Sequence, residues 1–129
     1  MNRIMTGAAL ATALLMAAPP AYANGQGDDG PVSIGVLGQG LHVREVRAIL
    51  DGQEAGAKAR ISLWKKDRHG EWSWARQVRG WKYTTARDLS NYKFEYASWR
   101  VNTRFPNRSR LCVEFAGYND RLACATIHS

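Results

Sequence analysis

Only two cysteines occur in the 129 residues, Cys112 and Cys124, and each sits in a run of alternating polarity. In "RLCVEF", Leu111, Val113 and Phe115 alternate with Arg110, Cys112 and Glu114; in "LACATIH", Ala123, Ala125 and Ile127 alternate with Leu122, Cys124, Thr126 and His128. A period of two marks a strand, whose successive side chains point to opposite faces. "AGYND", between the runs, is rich in turn-forming residues. An antiparallel pairing that sets Cys112 opposite Cys124 also sets Val113 opposite Ala123 and Leu111 opposite Ala125. Apolar residues then share one face and both cysteines the other, so a disulfide Cys112–Cys124 fixes the register of a C-terminal hairpin. Closing a loop of about 13 residues adds about 3 kcal/mol in the chain-entropy model. A redox-active pair would instead call for C-x-x-C spacing or a helix start to activate a thiolate, and neither is seen.

A paired cystine belongs to an oxidising compartment, and the other end of the chain supplies the route. "MNRIMTGAALATALLMAAPPAYA" has a cation at Arg3, an uncharged apolar run from Ile4 to Ala18, a Pro19-Pro20 break and the small-x-small site Ala21-Tyr22-Ala23. That is the order of parts in a secretory signal peptide, and residues 1–23 are read as one. The apolar run falls short of the roughly 20 residues needed to span a bilayer, so no membrane anchor is expected. A lone arginine and Asn24 after the cleavage site argue against twin-arginine export and lipidation. Residues 24–31, "NGQGDDGP", are polar and glycine-rich and read as a flexible leader. Residues 32–129 suffice for a single domain with one modest core. The expected localisation is secreted, extracellular.

The remaining segments also read as strands. In "YKFEYASWRV", Tyr92, Phe94 and Tyr96 alternate with Lys93 and Glu95. "AKARISLWKK" and "EWSWARQV" flank "DRHG", a turn ending in glycine, and form a hairpin. "PVSIGVLG" and "GWKYTT" are shorter strands. "LHVREVRAILDG" also fits a helical face through Val43, Val46 and Leu50; a strand with a bulge near Arg44-Glu45 suits its β neighbours better. About seven short strands with glycine, asparagine and aspartate turns predict an all-β fold, an antiparallel β-sandwich or small barrel with one disulfide. The Ala-, Arg- and Gly-rich bias of the chain resembles that of small secreted proteins of high-GC actinobacteria. This resemblance is compositional and implies export without assigning any residue a role.

No catalytic residue, metal site or cofactor is expected. His42, His69 and His128 lack metal-ligand spacing, and no H-E-x-x-H or cysteine cluster occurs. A small hydrolase or nuclease would draw on His42 or His128 with Glu45, Glu71 or Glu114, combinations that any domain of this size offers. No G-x-S-x-G elbow is present.

The distinctive feature is aromatic and basic. The chain carries 18 Lys and Arg against 11 Asp and Glu, and five tryptophans. Trp72 and Trp74 share a strand face, and Lys65, Lys66, Arg68, Arg76, Arg79 and Lys82 surround them. Indoles beside cations can stack sugars or bases and pair with anionic groups. Two or three of the five tryptophans, Trp81 or Trp99 among them, are assigned to the core, and Trp72 and Trp74 to the surface. A second basic stretch, "TRFPNRSR", puts Arg104, Phe105 and Arg108 on a loop. The expected function is a non-catalytic binding or surface-interaction domain, with an extracellular polyanion, a cell-wall glycan or a protein as partner. The alternative is a protease inhibitor or toxin-like effector acting through the basic loop.

Overall fold

A computed structural model describes residues 25–129; the expected signal peptide lies outside the described residues. Among the described residues nine strands form: β1 (Gly25–Asp29), β2 (Val32–Gln39), β3 (His42–Asp51), β4 (Lys58–Lys66), β5 (Trp72–Tyr83), β6 (Thr85–Leu89), β7 (Tyr92–Arg104), β8 (Ser109–Phe115) and β9 (Ala123–Ile127). No helix occurs among the described residues, and hence none long and apolar enough to cross a membrane. All pairings are antiparallel. One sheet has the order β1-β2-β3-β7-β6 and the other β5-β4-β8-β9, giving the expected sandwich with nine strands rather than about seven.

Alternation decides what faces the core. Val32, Ile34 and Val36 of β2, Ala48 and Leu50 of β3, and Ala97, Trp99 and Val101 of β7 line one wall. Ala59, Ile61 and Leu63 of β4, Leu111, Val113 and Phe115 of β8, and Ala123, Ala125 and Ile127 of β9 line the other. The hairpin register is the expected one: Cys112 faces Cys124, Leu111 faces Ala125 and Val113 faces Ala123. The disulfide forms on the outer face. Residues 42–51 are the bulged strand. Against β2, Leu37 faces Glu45 and Gly38 faces Val43, so Arg44 is the extra residue; against β7 the extra residue is on β7, where Asn102 takes a left-handed φ of 47°. The bulge lets Val43 and Val46, three positions apart, both enter the core.

Three expectations need correction. The stretch read as a flexible leader is instead strand β1, paired with β2 from Gly25 opposite Val36 to Asp29 opposite Val32. Its glycines are what admit it: a Cβ at Gly27 would stand 2.0 Å from the Cys124 carbonyl oxygen, and one at Gly25 3.2 Å from Ala125 Cβ. The Asp29 carboxylate then accepts from the Leu122 amide at 2.9 Å and from Arg121 at 3.2 Å, fastening β1 beside β9. Second, "GWKYTT" is no separate strand; Trp81–Tyr83 complete β5, and a short strand β6 follows. Third, one tryptophan rather than two or three is buried in the core: Trp99, of the pair Trp81 or Trp99, while Trp81 is exposed.

On β7 the aromatic side of the alternation faces outward. Glu95 stands opposite Leu50 and Ala97 opposite Ala48, so Glu95, not Phe94, shares the core side. Glu95 is buried, has no ion pair among the described residues, and accepts from the Thr84 hydroxyl at 2.7 Å and the Glu54 amide at 3.1 Å. Outside, the Phe94 ring stacks on Tyr92 at 4.8 Å and meets Tyr96 edge-on at 6.5 Å.

Candidate functional site

Residues directly opposite one another across an antiparallel pair lie on the same face. On the second sheet, Trp64 of β4 stands opposite Trp74 of β5 and Arg110 of β8; Lys66 stands opposite Trp72; Lys58 opposite Tyr83; and Arg60 opposite Glu114. All of these alternate with the core residues Ala59, Ile61 and Leu63, so they project into solvent. The fold thus gathers four of the five tryptophans on one outer face.

Cations are interleaved with the rings. The Arg110 guanidinium lies 4.0 Å from the Trp72 ring centre, and Lys66 Nζ 5.4 Å from the same ring. At the other end, Arg60 lies 4.5 Å and Lys58 5.7 Å from the Trp81 ring, and Lys58 is 6.0 Å from Tyr83. Each such contact contributes about 0.5–1 kcal/mol at an exposed site. More important for binding, a guanidinium lying flat on an indole keeps its N–H groups at the periphery, available to an anion. Arg60 uses its Nε on Glu114 at 2.9 Å. Among the described residues Lys58, Lys66 and Arg110 have no ion pair of their own.

The arrangement is two platforms. Trp64, Trp72 and Trp74 with Lys66 and Arg110 form one; Trp81 and Tyr83 with Lys58 and Arg60 form the other. Arg60 and Trp64 are four residues apart on β4, so the platforms are separated by about 13 Å along the strand. Ser62 and Gln77 bridge the interval, and the Trp64 Nε1–H donates to Ser62 Oγ at 2.9 Å, fixing that indole. Trp74, Trp81 and Tyr83 remain 58%, 43% and 70% exposed.

Of the residues expected here, Trp72 and Trp74 are on this face, but Lys65 and Arg76 are not. Lys65 pairs with Ser73 and so alternates to the opposite side from Trp64 and Lys66. Arg76 follows a bulge. Trp74 pairs with Trp64 and Arg76 with Leu63, leaving Ala75 as an extra residue. That single insertion turns Arg76 to the inner side of the sheet, where its guanidinium lies 5.8 Å from Phe105. Two further single-residue shifts, one on either side of Ile61, cancel each other, so Trp81 lies on the outer face. Lys66, read as one of the cations around Trp72 and Trp74, does lie beside them, opposite Trp72; Trp64, Trp81, Tyr83, Lys58 and Arg110 are additions that sequence reasoning missed. Strict alternation along "AKARISLWKK" was the available signal for Lys58 and Trp64.

The basic loop is differently built. Phe105 is only 1% exposed and belongs to the core, while Arg104 and Arg108 are exposed. Arg108 takes a left-handed φ of 66° and donates its amide to the Ile127 carbonyl at 2.7 Å. The three histidines are dispersed: His42 opens β3, His69 lies in the β4–β5 turn and His128 follows β9. No group of three or more His, Cys, Asp or Glu able to hold a metal ion occurs among the described residues.

Fold and site together define a disulfide-clipped β-sandwich with an aromatic and cationic outer face. No protein family, curated protein or solved structure matches the chain.

Proposed function

We propose that this is a secreted, non-catalytic binding domain, its signal peptide and overall style being those of a small exported actinobacterial protein, and that the outer face of β5, β4 and β8 takes an extended anionic polymer. The observation that carries the reading is the pair of indole platforms on one face, about 13 Å apart, with Lys58, Lys66 and Arg110 set among the rings. Rings stack on the flat faces of sugars or bases. The cations add attraction to carboxylate, sulfate or phosphate groups, an attraction that salt screens. An acidic cell-wall glycan meets both requirements, and the spacing favours a chain long enough to touch both platforms over a small molecule.

The protease-inhibitor reading draws less support, because Phe105 is a core residue and Arg108 is left-handed rather than extended. A hydrolase or nuclease reading draws less still, since the histidines lie at separate points of the fold.

The test is co-sedimentation of residues 24–129 with isolated cell walls, DNA and a neutral polysaccharide across a salt series. Binding to walls should fall steeply with salt and drop at least tenfold in Trp72→Ala/Trp74→Ala, with the melting temperature kept within a few degrees. Unchanged wall binding by that variant, at an intact fold, would overturn the reading.

A further inference from the structure

The second notable surface lies on the side of the sandwich away from β1 and β9. There β6 covers β7 only from Tyr92 to Tyr96, because Thr84 turns off toward β4, its amide donating to the Ala57 carbonyl at 3.0 Å. Among the described residues, the edge of β7 from Ala97 to Arg104 has no strand beside it. β5, the edge strand of the opposite sheet, runs past this stretch: Lys82 reaches Trp99 and Arg76 reaches Phe105, each with its charge 5.8 Å from the ring. The result is a seam between two open edges. Val78, Trp99 and Phe105 lie at its base, and Arg76, Arg79 and Lys82 stand on the β5 side.

Two facts specify what the seam fits. First, the Lys82 ammonium donates to the Ser98 carbonyl on the open β7 edge; a charged side chain occupies an acceptor that an adjoining strand would fill with a backbone N–H. Second, the seam is devoid of negative charge along its two strands. No Asp or Glu occurs in β5, and none occurs between Glu95 and Glu114, a stretch that includes Arg100 and Arg104. Cationic edge residues discourage pairing with another copy of this chain. The same charges favour an acidic partner.

We infer that the β7 edge from Ala97 to Arg104 accepts an acidic, extended segment of another protein as an added strand, collinear with β6. Main-chain hydrogen bonds supply the attachment, as in other strand-addition complexes. Lys82 releases the Ser98 carbonyl to a guest amide and turns, with Arg76 and Arg79, to the guest carboxylates. This surface is separate from the indole platforms, so either site can fail without the other.

The probe is an eight-residue peptide of alternating Glu and Val, titrated into isotopically labelled residues 24–129 and followed by NMR. A second peptide carries N-methyl groups on alternate amides, and a third has Lys in place of Glu. Expected are saturable shifts at Ser98–Arg104, loss of at least tenfold in affinity on N-methylation, and a similar loss in Arg76→Glu/Arg79→Glu, whose fold is checked by its melting curve. Binding should survive in Trp72→Ala/Trp74→Ala. Absence of shifts at millimolar peptide, equal binding of the N-methylated or Lys peptide, or shifts confined to the indole face would each overturn the inference.

Discussion

The docking of β1 can be decided by two glycine substitutions of opposite sign. In Gly27→Ala the new methyl carbon would fall 2.0 Å from the carbonyl oxygen and 3.0 Å from the carbonyl carbon of Cys124. Both atoms are backbone, in a strand held by the disulfide to Cys112, so no rotamer change relieves the clash. Either β9 shifts, at the 1–3 kcal/mol typical of overpacking, or β1 lifts away. Lifting forfeits the hydrogen bond from the Leu122 amide to the Asp29 carboxylate. On the overpacking figure a loss of about 2 kcal/mol is expected, or roughly 10 °C in melting temperature for a domain of this size. Gly35→Ala is the control. Its nearest neighbour is Arg47 Cβ at 3.9 Å, an ordinary contact. Reduced freedom of the unfolded chain should therefore stabilise it by about 0.4–1 kcal/mol.

Urea unfolding of the two variants beside the parent measures both effects. A parent-like midpoint for Gly27→Ala, with Gly35→Ala also unchanged or higher, would refute the docking and return residues 24–31 to a flexible leader. A second signature follows from Asp29. The Leu122 amide, and then Arg121, hold its carboxyl below the usual value. Its contribution is therefore present above the ordinary carboxylate pKa and is lost as pH falls through the depressed one. Gly27→Ala should flatten that part of the acid limb.

Reduction of Cys112–Cys124, or its replacement by two alanines, should cost about 3 kcal/mol, read as a lower urea midpoint; an unchanged midpoint would deny the cystine its role in the hairpin. Glu95→Ala leaves the Glu54 amide without its acceptor, while the Thr84 hydroxyl keeps the Ala57 carbonyl at 3.1 Å; it should destabilise by about 1–3 kcal/mol, with loss of amide protection at Glu54 in hydrogen exchange as the local readout. Burial, reinforced by the 2.6 Å hydrogen bond to Asp51, pushes the Tyr92 phenol up to about 12. Ultraviolet titration should show this phenol ionising late, with Tyr92→Phe removing the late step. Because the folded value is raised, the stabilisation linked to it is whole below pH 10 and disappears as pH climbs toward 12.

Local alternation made much of the fold legible. The C-terminal register could be read because cysteine pairing and apolar matching impose the same alignment, and the bulge near Arg44-Glu45 because it restores the burial of Val43 and Val46. Trp72 and Trp74 could be placed together because nothing interrupts the strand between them. β1 was hidden for the opposite reason. "GQGDD" has no apolar side chain to announce a strand, and its glycines serve a close approach to a partner strand about a hundred residues away.

The composition of the candidate site belonged to the tertiary structure. A bulge exists only in relation to the strand opposite, and each extra residue exchanges the two faces for everything beyond it. Ala75 thus sends Arg76 inward, and the three insertions of β5 together set Trp81 outward. Arg110, far along the chain, reaches Trp72 only because β8 lies on the other side of β4. The sequence by itself determined strands, a disulfide and a surplus of indoles and cations, all consequences of side-chain order along one strand. Which of those indoles and cations meet was decided between strands, where pairing and sheet order fix the neighbours.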